Sequence, residues 1–455
     1  MRAAIRFVLP LIAALAAAAS AQAIAPTPPM GWNSWDAYGF TIDEAEFKAN
    51  ATVLAALKPY GWTYAVIDEG WYMANPFGDK LATRKYQLDG SGRLIPDAVR
   101  FPDAAGGAGF KPLADWVHAQ GLEFGLHIVR GIPKQAVEAN SPIAGTSFHA
   151  GDAADTSDTC PWDDGNFGVR DNAAGQAYYD SVMALYAAWG VDFVKVDCIA
   201  DHPYQPTEIR QVSDAIKKTG RPMILSLSPG PMQPAHAAEV ARYAEMWRIG
   251  DDTWDGWTFP HNDPNSEWPN GLRNLFDKLA LWHSYARPGA WPDADMLPFA
   301  SLTPHPGWGD PRHSRLTQAE ERTMFTLWAV ARSPLILGAN LTRLDAFTRS
   351  LITSRAVIAI DQTAWESFPV TDLPKGLENA RVWVALTGPR AKPVYTLAVF
   401  DIGDTPLAVR ATWKELGVPG RTHALRDLWT GERRVASRLL TVALPPHGSA
   451  IWRVE

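Results

Sequence analysis

The sequence predicts an α/β protein, a (β/α)8 TIM barrel followed by a C-terminal antiparallel β-sandwich domain. First, the chain repeats an amphipathic helix, a glycine and a short apolar strand that ends in polar residues. About eight such units fit within roughly 340 residues, as expected for a TIM barrel with long loops. Second, the pattern changes near the C-terminus to short β-rich runs separated by turn residues. Third, an open doubly wound sheet is disfavoured, because no Gly-rich phosphate loop joins a strand to its helix.

The barrel elements follow one another in chain order. The first strand lies near Met30, and a capping box at residues 41–44 predicts a helix that runs toward Lys58. Three further helices are predicted at residues 176–189, 270–285 and 317–331. The later strands are predicted at residues 63–67, 123–128, 191–197, 222–228, 245–249, 290–297 and 335–341.

The C-terminal part is predicted to contain little helix. Residues 381–386, 394–400, 407–411 and 439–444 are short runs of β-forming residues between Gly, Pro and Asp turns. We expect the barrel to span residues 24–368 and the sandwich residues 369–455, with a linker at 373–376.

Residues 1–23 have the pattern of a cleavable signal peptide. Arg2 and Arg6 precede the apolar residues 8–19, and small residues suit cleavage after Ala23 or Ala21. A membrane anchor is the weaker alternative, because the apolar run is short for a span. We therefore expect a secreted or periplasmic protein.

Charge and motifs exclude several classes of partner. Removing Arg2 and Arg6 takes the formal net charge from −7 to −9, and the chain has no Lys/Arg cluster, which argues against nucleic acid and anionic membranes. The sequence contains no zinc or calcium motif and no Gly-x-Ser-x-Gly elbow, so we expect no metal and no cofactor. The oligomeric state stays open.

Acidic residues gather at the ends of four predicted strands. A single Asp at such a place is usually a helix cap or a turn residue. Several on the catalytic face of a barrel, in a chain with 20 Trp, favour a carboxylate-lined site for glycosidic bonds. The alternatives are a silent carbohydrate-binding protein and, less favoured, a phosphate-handling barrel enzyme. The acidic residues are Asp68, Glu69, Asp197, Asp252, Asp293 and Asp295.

Four motifs follow one another at residues 29–35 (PMGWNSW), 66–71 (VIDEGW), 194–198 (VKVDC) and 291–297 (WPDADML). In this order they resemble glycoside hydrolase family 27, the family of α-galactosidases and α-N-acetylgalactosaminidases. The resemblance implies a retaining exo-glycosidase that acts on terminal α-D-galactosyl residues of an oligosaccharide or polysaccharide.

The resemblance also implies the catalytic roles. Asp197 matches the nucleophile in K-x-D, and Asp252 matches the general acid/base four residues after Arg248. Asp251 stands beside it and is the rival candidate for the acid/base. The residues implied in sugar binding are Trp35, Asp68, Glu69, His127, Lys195, Ser228, Arg248, Asp295 and Met296.

Several departures from the family pattern bear on specificity. Glu69 replaces the usual Asp, and its extra methylene leaves less room near C6 of the sugar, which favours β-L-arabinopyranose, a galactose without C6. Ser228 falls where typical α-galactosidases have a Glu near O2, as in relatives that accept N-acetylgalactosamine, and His127 replaces a Tyr. Cys160 and Cys198 resemble a disulfide pair of the family, although Cys198 directly follows the nucleophile.

Overall fold

The structure is a computed structural model that describes residues 23–77, 85–261 and 267–455. The predicted signal peptide, apart from Ala23, lies outside these residues. Among the described residues, no helix combines the length and the apolar character needed to cross a bilayer.

Eight parallel strands form the barrel, as the repeat predicts. The strands are β1 Met30–Asn33, β2 Tyr64–Ile67, β3 Glu123–Val129, β4 Phe193–Asp197, β5 Ile224–Leu227, β6 Met246–Arg248, β7 Trp291–Asp293 and β8 Leu335–Leu337. They pair in the order β7-β6-β5-β4-β3-β2-β1-β8, and a parallel bridge joins Leu297, which follows β7, to Leu337 of β8.

Helices alternate with these strands. Those in the described residues are Trp35–Tyr38, Glu44–Leu57, Lys111–Ala119, Lys134–Glu138, Ala150–Ala153, Ala173–Trp189, Pro206–Thr219, Ala237–Val240, Leu272–Trp282, Gln318–Ala331, Ala346–Ile352 and Arg355–Thr363. Short strands in the loops are Ile132–Pro133, Ala154–Thr159, Asn166–Val169, Ser301–Leu302 and Arg312–His313.

The first capping box lies two residues later than predicted. Asp43 caps the helix Glu44–Leu57 and forms a reciprocal box with Glu46. Thr41 belongs instead to a short 3-10 turn, where its hydroxyl donates to the carbonyl of Tyr38. Because that hydroxyl is already used locally, it does not cap the helix.

The C-terminal region is antiparallel, as predicted, but it contains strands that the sequence pattern missed. The strand Glu366–Pro369 runs across the predicted boundary at 368 and 369 and pairs with Ala380–Thr387, and the boundary itself stays a prediction. The other strands are Val394–Asp401, Leu407–Thr412, Thr422–Asp427, Arg433–Ser437, Leu439–Leu444 and Ser449–Val454.

Many of the tryptophans belong to the core. Ten of the 20 are nearly fully buried, so packing accounts for about half of this unusual composition.

The C-terminal sheet contacts the barrel through a side-chain hydrogen bond. His447 Nδ1, in the loop before the last strand, lies 2.7 Å from Glu320 Oε1 on the helix Gln318–Ala331.

Candidate active site

A polar pocket opens at the carboxyl ends of the barrel strands. Of the predicted site residues, all but Arg248 line it, and Arg248 lies directly behind the lining. We call this the sugar pocket. Its lining residues are Trp35, Asp36, Phe40, Asp68, Glu69, His127, Trp162, Asp163, Lys195, Asp197, Ser228, Asp252, Thr253, Trp254, Asp295 and Met296.

Asp197 is the last residue of β4, and both of its carboxylate oxygens have donors. Ser228, just after the neighbouring strand β5, donates its hydroxyl to Oδ1 at 2.9 Å. The indole Nε1 of Trp162 lies 3.4 Å from Oδ2. These contacts give each oxygen of the carboxyl group a hydrogen-bond donor and orient the side chain at the mouth of the barrel.

Asp68 follows β2 and is held as a buried carboxylate. Its Oδ2 accepts from Lys195 Nζ at 2.9 Å and from Asn33 Nδ2 at 2.6 Å, and its Oδ1 accepts from the Glu69 amide at 2.8 Å. Burial alone raises the pKa of Asp68, but the charges of His127 and Lys195 hold it well below its usual range. Because burial lowers the pKa of His127, Lys195 is the cation that keeps Asp68 ionised at neutral pH.

Glu69 behaves differently from its neighbour. Burial, the carboxyl of Asp163 and the charge of Asp197 raise the pKa of Glu69 well above its usual value. Its Oε1 has no hydrogen-bond partner among the described residues, whereas the Asp163 carboxyl accepts from the Gly165 amide at 3.0 Å. The unpartnered Oε1 leaves Glu69 with hydrogen-bonding capacity for a ligand.

Arg248, at the end of β6, joins two acidic side chains from behind the pocket. Its Nη2 lies 2.6 Å from Asp295 Oδ2 and 3.2 Å from Asp252 Oδ1. Backbone amides of Thr253 and Met296 also donate to Asp295, at 2.6 and 2.7 Å. Although burial lowers the pKa of Arg248, these carboxylates raise it, so the guanidinium stays charged.

The two adjacent candidates for the acid/base occupy different positions. The side chain of Asp252 is 38% exposed and lines the sugar pocket together with Asp197. Asp251 is only 7% exposed, and its Oδ1 accepts from the backbone amide of Asp252 at 3.0 Å. Burial and the charge of Asp252 raise the pKa of Asp251 to about 6. The geometry favours Asp252, and its role stays a prediction.

The disulfide between Cys160 and Cys198 is confirmed, with the two Cα atoms 6.0 Å apart. It joins the residue after Asp197 to the segment that carries Trp162 and Asp163. Sequence reasoning missed both of these pocket residues. The signal that could have found them is their position two and three places after Cys160, a cysteine expected to pair beside Asp197.

Asp36 was also missed by sequence reasoning. It follows the predicted aromatic wall Trp35 in the short helix Trp35–Tyr38, and it is 1% exposed. Burial and the negative charge of Asp295 raise its pKa well above the usual value, and its Oδ2 has no hydrogen-bond partner among the described residues. Of the other missed lining residues, Thr253 and Trp254 directly follow the predicted Asp252, whereas Phe40 lies five positions after Trp35.

One group of metal-ligand type occurs in the described residues, at the opposite end of the barrel. It consists of His118, Glu123 and Asp192. His118 Nε2 lies 2.8 Å from Asp192, and Arg221 pairs with the other oxygen of Asp192. This group is explained as an ion-pair network at the start of β3 and β4, away from the sugar pocket.

Comparisons with known proteins agree with this arrangement. The family described as alpha galactosidase A matches residues 163–363, and the alpha galactosidase C-terminal beta sandwich domain matches residues 378–454. Alpha-galactosidase A of Cellvibrio japonicus is 28% identical, over 98% of this chain and 96% of its own length.

Solved structures are also similar over nearly the whole chain. The GH27 β-L-arabinopyranosidase of Geobacillus stearothermophilus, in an Asp-to-Ala variant with bound arabinose, is 40% identical with a TM-score of 0.87 and covers 95% of this chain and 98% of its own. A candidate α-N-acetylgalactosaminidase of Bacillus halodurans is 35% identical with a TM-score of 0.80 and covers 94% of this chain and 97% of its own.

Proposed function

Because the chain belongs to glycoside hydrolase family 27, we propose that it is a retaining exo-glycosidase that releases terminal α-D-galactosyl residues from oligosaccharides or polysaccharides. The observation that carries the proposal is the sugar pocket itself. It combines two carboxyl groups from different strand ends, Asp197 and Asp252, with a fixed ion pair and a tryptophan wall.

The proposed reaction is a double displacement. Asp197, oriented by Ser228 and Trp162, attacks the anomeric carbon while Asp252 donates a proton to the departing oxygen. Asp252 then removes a proton from a water molecule, which attacks the glycosyl-enzyme and restores the original anomeric configuration. The proton that Asp252 takes from this water restores the acid for the next cycle.

We assign the remaining residues to recognition of the sugar hydroxyls. Asp68 is the acceptor, oriented by Lys195, and Glu69, whose pKa is raised by burial and by the neighbouring Asp163, lies beside it. Arg248 holds Asp295 in place. The residues that complete the proposed sugar contacts are Trp35, His127, Ser228 and Met296.

A second candidate substrate is the terminal β-L-arabinopyranoside. One observation favours it: Glu69, one methylene longer than Asp, is buried in the pocket wall and held beside Asp163. The similar Geobacillus stearothermophilus enzyme with this activity supports the same alternative. Terminal α-N-acetylgalactosamine is a weaker alternative, favoured by the small Ser228.

Initial rates on p-nitrophenyl α-galactoside, β-L-arabinopyranoside and α-N-acetylgalactosaminide test the proposal. We expect Glu69→Asp to raise the galactoside to arabinopyranoside ratio of kcat/KM about tenfold, because one methylene in a pocket is worth roughly 1–3 kcal/mol. Glu69→Gln, which keeps the length, is the matched control and leaves this ratio near that of the parent. If none of the three glycosides is hydrolysed, the proposed substrate class is wrong.

The place of action is also a proposal. We propose that the protein is exported and that residues 1–23 are removed, which the buried disulfide supports because such bonds persist in oxidising compartments. N-terminal sequencing of the protein recovered from the periplasm or the medium tests this, with Ile24 expected as the first residue.

A further inference from the structure

A second cavity of about 390 Å³ adjoins the sugar pocket. The two share Trp162, Asp197 and Asp252, and the second adds His202 and Trp268 among its lining residues. We call it the outer cavity. Since the proposed acid Asp252 lines both spaces, the group attached to the oxygen that it protonates extends from the sugar pocket into the outer cavity.

The walls of the outer cavity offer flat apolar surfaces. Trp162 and Trp268 are 37% and 43% exposed, in contrast to the twelve tryptophans that are buried. The ring of Trp162 packs against that of His202 with centroids 5.1 Å apart, and its Nε1 contacts Asp197, so its plane is fixed. Trp268 is supported by an edge contact with Trp308 at 5.8 Å. Rigid, partly exposed indoles of this kind suit the faces of a ring.

The charges of the outer cavity restrict the chemistry of that ring. Asp197, Asp251 and Asp252 all line it, and its histidine, His202, is already paired with Asp201 at 2.9 Å. A negatively charged ring, such as a uronic acid, would be repelled by these carboxyl groups. The lining residues of the outer cavity offer no unpaired cation that would offset this repulsion. A neutral ring with several hydroxyl groups can instead donate to them.

We propose that the outer cavity is a leaving-group subsite that binds a neutral pyranose ring against Trp162 and Trp268. The proposal rests on the proposed glycosidase function, because Asp252 as the acid defines where the leaving group lies. It goes further in assigning the second sugar of the substrate to a place that is formed by aromatic and acidic residues.

Kinetics with two leaving groups test the subsite. A glycosyl fluoride of the preferred glycone has no ring to place in the outer cavity, whereas the same glycone linked to glucose does. We expect Trp268→Ala to lower the ratio of kcat/KM for the disaccharide to kcat/KM for the fluoride about tenfold, the scale of a truncated aromatic anchor. Trp268→Phe keeps a flat face and is expected to recover most of this ratio.

Binding separates the subsite from catalysis. In the Asp197→Ala variant, calorimetry should give a lower Kd for the glucose-ended disaccharide than for the single glycone, and Trp268→Ala should remove the difference. A disaccharide that ends in glucuronic acid should bind the Asp197→Ala variant, with Trp268 unchanged, no more tightly than the single glycone does.

Equal effects of Trp268→Ala on the disaccharide and the fluoride, together with equal Kd values for one and two sugars, would overturn the proposal. Absence of hydrolysis of every glycoside would instead contradict the proposed function, and the difference in Kd would still decide whether the outer cavity binds a second ring.

Discussion

Replacing Asp252 by Ala tests which of two adjacent aspartates is the acid/base. In the structure Asp252 faces the sugar pocket and touches Arg248 at 3.2 Å, while Arg248 keeps its closer contact with Asp295 at 2.6 Å. The substitution therefore leaves the buried arginine with a partner, and we expect the fold to persist. General acid–base catalysis contributes about 10²–10⁴-fold, so kcat/KM for an alkyl glycoside should fall by that factor.

The size of the loss should depend on the leaving group. Fluoride departs without a proton, so the first step with a glycosyl fluoride should be much less affected than with an alkyl glycoside. Added azide can attack the glycosyl-enzyme without a general base, and it should accelerate turnover in Asp252→Ala and yield the azide product. Single-turnover rates and product analysis measure both effects.

Asp251→Asn is the matched control. The amide oxygen of Asn can still accept from the backbone amide of Asp252, so we expect a loss of less than about fivefold, the scale of one neutral hydrogen bond. The assignment is refuted if Asp251→Asn loses more activity than Asp252→Ala, or if azide rescues only the Asp251 variant.

Two further predictions concern stability. Burial and the charge of Asp295 raise the pKa of Asp36 in the folded protein, so folding becomes less favourable as pH rises above the unfolded value near 4. The gain in unfolding free energy from Asp36→Asn should therefore be larger at pH 7 than at pH 4, as measured by urea titration; an equal difference at both would contradict this. Replacing both Cys160 and Cys198 by Ser should lower the unfolding free energy by about 4 kcal/mol, since the bridge closes a loop of 38 residues. The reduced parent should match this double variant, and an undiminished free energy would contradict the prediction.

The parts of the site that sequence predicts best are those carried by strand ends. Asp68, Lys195 and Asp197 lie on or directly after buried strands, and the topology of a barrel brings such positions together at one face. The local sequence pattern and the topology of the barrel therefore both predict that these side chains lie at the same end of the barrel. This is why Asn33, Lys195 and Asp68 meet within hydrogen-bond distance although they are far apart in the chain.

Residues from loops could not be placed in the same way. Trp162 and Asp163 reach the pocket because a disulfide fixes their segment next to Asp197, and their own sequence carries no periodic pattern. The exposed strand Arg433–Ser437 was missed for a related reason: its order comes from pairing with Thr422–Asp427 rather than from an apolar face.

The acidic residues of the sugar pocket differ in their hydrogen-bonding roles, and the amino-acid composition does not reveal this difference. Carboxyl groups crowded together cannot all be ionised, and the structure supplies a nearby cation to only some of them. Asp68 has Lys195 and is an acceptor. Burial and nearby carboxyl groups instead raise the pKa of both Glu69 and Asp36, and each has a carboxyl oxygen without a hydrogen-bond partner among the described residues. We infer that this free carboxyl oxygen of Glu69 faces a hydroxyl group of the substrate. The influence of Glu69 on the choice of sugar then comes from its length and its hydrogen-bonding capacity together, so Glu69→Gln, which keeps the length and a polar group at the same place, should preserve the preference that Glu69→Asp changes.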